Sequence, residues 1–249
     1  MPTRLDSVVI DTADPTALAR WWSRTLGWPV TSEEAEEAVV EPSPDSGERG
    51  LPLVFGFADD PKTVKNRLHL DLRSDSLPHQ DEQVRRLIED GAAHSDIGQG
   101  EVPWVVLTDP HGNEFCVLEP REVYTADAGP VAALVVDALD PAGLARFWAE
   151  AIGWRLEGED ETAPWLRHPD GRGPFLEFVP TREPHKVKNR LHLDVAPEAG
   201  EDQAAAVQRL IDLGATPVEI GQSQAPPGEV TWVVLADPEG NEFCVLTPR

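Results

Sequence analysis

Apolar residues along this chain recur at two spacings. Short runs alternate every second residue, longer runs every third or fourth, and the switch between them repeats four times. Residues 5–11 (LDSVVID) read as a strand, with Val8 and Ile10 on one face and Ser7, Val9 and Asp11 on the other. Asp14-Pro15 then opens a helix, Asp as N-cap and Pro at the first helical position. Leu18, Trp21, Trp22 and Leu26 follow at helical spacing, and Gly27 ends it. Residues 30–40 predict one or two short acidic edge strands, residues 42–50 (PSPDSGERG) a turn-forming stretch, and residues 53–57 a buried strand. This makes one β-α-β-β-β unit. The grammar restarts with a strand at 67–72, a helix through 83–89 closing at Gly91, a weak strand at Ile97, and strong strands at 104–107 and 114–118. Residues 109–113 (DPHGN) form the hairpin turn between the last two.

The pattern is duplicated. Residues 104–121 and 232–249 agree at 15 of 18 positions, and VKNRLHLD occurs at 64–71 and again at 187–194. The chain is a tandem repeat. Its second half predicts strands at 131–137, 175–179 and 190–195, a helix capped by Asp140-Pro141, another at 204–213, and a final hairpin at 237–241. Five extra residues fall in the loop 222–229. The expected organisation is α+β. Residues 1–121 form one domain, 122–129 a linker and 130–249 a second domain. Each domain is built of paired β-α-β-β-β units that curl its own curved, partly open mixed sheet around a concavity, with helices outside.

Composition narrows the function. Halves of about 125 residues can each bury a core. The net charge of −24 disfavours nucleic acid and anionic membrane surfaces as partners. No run is long and apolar enough for a membrane helix, and the first ten residues lack a signal-peptide core. Cys116 and Cys244 occupy matching repeat positions in separate halves, which argues against a disulfide and for a reducing, cytoplasmic setting. The protein is expected to be a monomer or homodimer.

Strand alternation places Arg67, His69 and Asp71 on one face of their strand and Leu68, Leu70 and Leu72 on the other. Glu114, Cys116 and Leu118 likewise oppose Phe115 and Val117. The polar faces line the concavity, which is the default place for a small organic ligand.

The first strand, the DP-capped helix ending in LGW, the HLDL strand and the DPxGN hairpin together resemble the vicinal oxygen chelate superfamily. That group includes glyoxalase I, extradiol dioxygenases, and bleomycin- and fosfomycin-resistance proteins. KNRLHLDL with DPxGNEFCVL is most similar to its bacterial glyoxalase-like branch. The resemblance implies two tandem glyoxalase-like domains. It also implies a metal site with donors from the first and last strands of each unit. Those positions hold Ser7, Val54, His69 and Cys116 in the first half, and Ala133, Glu177, His192 and Cys244 in the second. His69, His192 and Glu177 match, while the usual donors are missing elsewhere. The resemblance therefore implies either a divalent metal or no tightly bound cofactor.

Each candidate has a functional and a plainer reading. His69 and His192 are catalytic groups or metal ligands, or structural histidines held by Asp71 and Asp194. Cys116 and Cys244 are nucleophiles or soft-metal ligands, or buried core. Glu114 and Glu242 are metal ligands, or solvated and ion-paired. Lys62, Lys65, Arg67, Lys186, Lys188 and Arg190 include all four lysines of the chain; they steer an anion or lock the strands that follow. Trp104 and Trp232 offer a flat wall to an aromatic ligand, whereas the helical tryptophans and those after LG are core. DPxGN is a turn device. Two functions follow: a protein that binds a small organic ligand without transforming it, with Arg67, Asp71, Trp104, Cys116, Arg190, Asp194, Trp232 and Cys244 around the ligand, or a metal-dependent lyase, isomerase or dioxygenase.

Overall fold

The structure is a computed structural model that describes residues 1–124, 126–158, 162–220 and 231–249. The loop 222–229, where the second repeat is longer, lies outside the described residues. Four β-α-β-β-β units follow one another. The first is β1 (Arg4–Thr12), α1 (Pro15–Leu26), β2 (Val30–Glu33), β3 (Glu37–Val40) and β4 (Leu53–Phe57). The second is β5 (Leu68–Leu72), α2 (Leu77–Glu89), β6 (Ala93–His94), β7 (Val105–Thr108) and β8 (Glu114–Val117). The third is β9 (Val131–Ala138), α3 (Pro141–Ile152), β10 (Arg155–Glu157), β11 (Trp165–Arg167) and β12 (Phe175–Pro180). The fourth is β13 (Leu191–Ala196), α4 (Gln203–Asp212), β14 (Thr216–Pro217), β15 (Val233–Ala236) and β16 (Glu242–Val245).

The helices start where the sequence predicts. The Asp14 and Asp140 carboxylates accept from Ala17 N at 2.9 Å and Gly143 N at 3.0 Å, satisfying amides that have no partner within the helix. Ile97 forms no strand. Its amide is held by the Gln99 side chain at 2.8 Å and that of Gly98 by Asp96 at 2.9 Å, so neither amide enters a strand ladder.

The units pair across the halves. One eight-stranded sheet runs β14-β15-β16-β13-β1-β4-β3-β2, joining the first unit to the fourth. The other runs β10-β11-β12-β9-β5-β8-β7-β6, joining the second to the third. The α+β class and the open mixed sheets stand as expected, but neither half curls a sheet of its own. The reason lies in the unit edges. β1 pairs antiparallel with β13, and β5 with β9, so each unit covers the exposed first strand of a unit from the other half.

Alternation then sorts the side chains. Val8, Ile10, Leu53, Phe55, Leu70, Phe115, Leu134, Phe178, Leu193 and Phe243 face the helices and join one continuous core. Trp22 of α1 packs edge-on against Phe115 of the second sheet at 5.2 Å, and Trp148 of α3 against Phe243 of the first at 5.2 Å. The DPxGN turns complete this contact. Asp109, buried between β7 and β8, accepts from the amides of His111 and Asn113 at 2.9 Å and from Trp22 Nε1 at 3.2 Å. Asp237 does the same with Glu239, Asn241 and Trp148. Gly112 and Gly240 turn these corners at φ of 84° and 89°, which a side chain would strain. Burial pushes both aspartates upward, while the amides and indoles pull them back.

Arg67 precedes β5 and turns away from the concavity into the joint between the sheets. It donates to Asn241 Oδ1 at 2.9 Å, to the carbonyls of Glu183 and Asp137 at 2.6 and 2.7 Å, and to Glu239 at 3.1 Å. Arg67→Ala is expected to lower the unfolding free energy in urea by about 3 kcal/mol, because it removes the cation paired with a nearly buried Glu239 and the donor to two carbonyls. Arg24→Ala, which removes an exposed pair with Asp90, is expected to cost about 1 kcal/mol or less. Equal effects would mean the Arg67 cluster does not hold the sheets together.

Candidate functional site

The concave face of the second sheet encloses a cavity of about 850 Å³. Its floor is set by strand register. Val135 of β9 lies between His69 of β5 and Glu177 of β12, so the imidazole and the carboxylate stand on the same face with one strand between them. Asp71 is level with Cys116 of β8. Glu177 therefore works beside His69, and not beside His192 as the order of the halves suggests. The partner strand comes from the other half. The corresponding row of the first sheet is His192, Val9 and Val54, which has no carboxylate.

His69, Asp71 and Cys116 converge, with their donor atoms all within 4.8 Å of one another. His69 Nε2 lies 3.4 Å from Asp71 Oδ1. His192, Asp194 and Cys244 repeat the cluster: His192 Nε2 is 3.6 Å from Asp194 Oδ1 and 3.6 Å from Cys244 Sγ. Burial, reinforced by the neighbouring aspartates, pushes both thiols far up. Burial lowers His192 to about 4, leaving it neutral at pH 7, and raises Asp194 to about 7. Without a cation, neither cluster holds a thiolate nucleophile at neutral pH.

The remaining candidates divide. Trp104 lines the cavity, half-buried, with the Arg121 guanidinium 5.5 Å from its ring centroid. Trp232 packs against Cys244, Ala196 and Leu246 on the other sheet. Glu114 is taken up by Lys62 Nζ at 2.6 Å and Asn66 N at 3.2 Å, and Glu242 by Asn189 N at 3.1 Å and His185 at 3.2 Å. Lys65 pairs with Asp137 and Lys188 with Asp11. Arg190 donates to the carbonyls of Asp60 and Asp11 at 2.9 Å. Three of the four lysines and both arginines of the repeated strings are thus used at the joint, as locks on the strands they precede.

Two residues at the site carry no sequence signal of their role: Arg121, which lines the cavity, and Tyr124, buried behind Glu177. Tyr124, the only tyrosine, donates its hydroxyl to Glu177 and packs edge-on against Phe175 at 5.3 Å. Burial raises Glu177 while that hydrogen bond lowers it, and burial comes first. Arg121, paired with Glu119 at 2.7 Å, lies 5.5 Å from Trp104 and 5.8 Å from the Tyr124 ring. Tyr124 lies in the connector between halves, where no periodicity marks a face. Arg121 was visible only as the last residue of the repeated string.

Paired β-α-β-β-β units with a polar concavity define the class of small-molecule proteins to which glyoxalases belong. The Glyoxalase-like domain family matches residues 7–118 and again 133–246, so this chain is a member of that family, with two copies of the domain. Glyoxalase I from Zea mays has a similar fold, with a TM-score of 0.66 at 14% identity over 98% of this chain and 92% of that one. A putative dioxygenase from Bacillus subtilis scores 0.62 at 11% identity, over 99% and 86%. No curated protein matches the sequence.

A hard divalent cation held as in that superfamily would need about three oxygen or nitrogen donors around the row of first and last strands. The second sheet offers Ala133, Glu177, His69 and Cys116 there, with Glu177 engaged by Tyr124. The first offers Ser7, Val54, His192 and Cys244. These residues do not fit such a cation.

Cys116 and Cys244 are 5% and 6% exposed. In chelator-treated native protein at pH 8, both are expected to react with a thiol reagent many times more slowly than free cysteine. Two thiols per chain should appear on denaturation. Rapid labelling of the folded protein at neutral pH would mean that a thiolate is present.

Proposed function

We propose that this protein binds a small, partly flat organic molecule in the cavity of the second sheet. The observation that carries this reading is convergence. Groups from both halves (His69, Asp71, Trp104, Cys116, Arg121 and Glu177) surround one hollow of about 850 Å³, within the range of ligand pockets. Trp104 supplies an apolar wall stiffened by Arg121. Glu177 and Asp71 accept hydrogen bonds from the ligand, and Arg121 meets an acidic substituent. His192 and Cys244 belong to a sparser face that has Val54 in place of Glu177.

A second reading has its own observation. Glu177, pushed up by burial, stands in the same hollow as the His69 imidazole, so a bound molecule could exchange protons with both. On that reading the protein is a lyase or isomerase, and Glu177 and His69 are its catalytic pair.

Thermal-shift screening against small metabolites and antibiotics tests both readings. Compounds that raise the melting temperature should lose that effect in Trp104→Ala and in Arg121→Ala, and keep it in Trp232→Ala. A shift that survives both cavity variants would rule out this site. Recovery of the hit compound chemically changed, with the change abolished in Glu177→Gln, would favour the enzyme.

A further inference from the structure

We propose that a second hollow, where the first unit meets the third, binds an organic anion with a compact apolar body: an aryl or acyl phosphate or carboxylate. The hollow measures about 580 Å³ and shares no residue with the cavity of the second sheet. Its volume lies within the range of ligand pockets. The proposal goes beyond the function proposed above and does not rest on it.

A short motif inside the repeat marks the place. The connection from β3 to β4 reads PDSGERG at 44–50, and the same connection in the third unit, from β11 to β12, reads PDGRG at 169–173. Each ends in Arg-Gly. The two loops clasp one another across the halves. Arg49 Nε lies 2.7 Å from Asp170 Oδ2, and the Arg172 guanidinium donates to the carbonyl of Gly47. Gly173 turns at φ of 81°, and a side chain there would strike the Arg49 carbonyl oxygen. Each half thus delivers an arginine to one rim, and the clasp fixes both.

Charge at this rim departs from that of the chain. Acids outnumber bases 45 to 21 overall, yet three arginines (Arg4, Arg49 and Arg172) and two acids (Asp6 and Glu198) line the hollow. Arg4 is held by Asp6 at 2.9 Å and Arg49 by Asp170. Asp45 occupies the place of Asp170 in the other loop, but it makes no pair with Arg172. Among the described residues the Arg172 guanidinium meets only the Gly47 carbonyl. Its remaining donors suit a phosphate or carboxylate group. The C-terminal end of α3 would oppose an anion here. Its carbonyls are engaged: Ala151 O accepts from Thr3 N at 3.0 Å, Thr3 Oγ1 at 2.9 Å and Arg209 Nη2 at 3.0 Å, and Ala149 O from Gly153 N at 2.9 Å.

Below the rim the hollow is apolar. Leu5, Ile152 and Trp154 are buried beneath it, and Leu51 flanks them. The Trp154 indole is set edge-on against His168, with ring centroids 5.7 Å apart. A ligand whose body covers this floor removes apolar surface from water while its charged end meets the arginines. A bare ion loses the first contribution and a neutral molecule the second.

The test is isothermal titration calorimetry on full-length, untagged protein. Naphthyl phosphate and naphthoate are the two anionic probes; naphthol lacks the charge and inorganic phosphate lacks the body. At least one naphthyl anion should bind with one equivalent at this hollow, and naphthol and inorganic phosphate should bind about tenfold more weakly or worse. Arg172→Ala should weaken the anion about fivefold, and Arg49→Gln at least as much, because it also frees the Asp170 carboxylate. Should Arg172→Ala disturb the circular dichroism, Arg49→Gln supplies the second lesion. Arg121→Ala and Trp104→Ala should leave the affinity unchanged. Wild-type protein that binds neither naphthyl anion at millimolar concentration overturns the proposal. So does naphthol binding as tightly as the anions, or an affinity unchanged in both rim variants. Loss of binding in Arg121→Ala overturns it as well, since the anion would then sit on the concave floor. The cavity of the second sheet is tested by Trp104 and Arg121 and this hollow by Arg49 and Arg172, so the two readings fail separately.

Discussion

The antiparallel pairing of β1 with β13 and of β5 with β9 is the constraint on which the rest depends. A single β-α-β-β-β unit has an open edge at its first strand, and buried ladders do not tolerate open edges. Covering that edge with a unit of the other half makes two sheets of eight strands. It also places a side chain from each half on every concave floor, as with His69, Val135 and Glu177. Each half is meanwhile tied to itself through the core. Trp22 on α1 reaches Asp109 on the opposite sheet, and Trp148 on α3 reaches Asp237. Backbone ladders join the halves, and indole–carboxylate contacts join the sheets.

That division explains why the two concave faces differ. The repeated strings VKNRLHLD and DPxGNEFCVL build β5 with β8 and β13 with β16, so the imidazole, aspartate and thiol are the same in both sheets. The other two strands of each floor come from the less similar first and third units. There Val54 stands opposite Glu177 in the repeat, and Ser7 opposite Ala133. Tyr124 adds a hydroxyl to one floor only, because it belongs to the connector that passes that sheet. Sameness resides on one strand pair and difference on the other.

Much of this was legible in the sequence. Caps at Asp14 and Asp140, the period-two faces of β5 and β8, and the turn role of DPxGN follow from local chemistry, and each is present. Local patterning carries no information on which units pair, because β1 offers the same edge to β13 as to β5. The order of the halves therefore groups Glu177 with His192, whereas it stands beside His69. Alternation puts Arg67 on the cavity face, yet it precedes the strand, where alternation no longer applies, and the carbonyls of the joint claim it. Tyr124 had no signal beyond being the single tyrosine.

The joining stretch from Glu122 to Pro130 has a consequence for assembly. Two unlinked halves would have to meet by collision, and dilution would separate the walls of both hollows. A short tether turns that encounter into an intramolecular closure with a high effective concentration. Each floor can then form in a solitary molecule. A substitution in either half alters one wall of each hollow, so the two pockets share their inheritance even as their contents diverge.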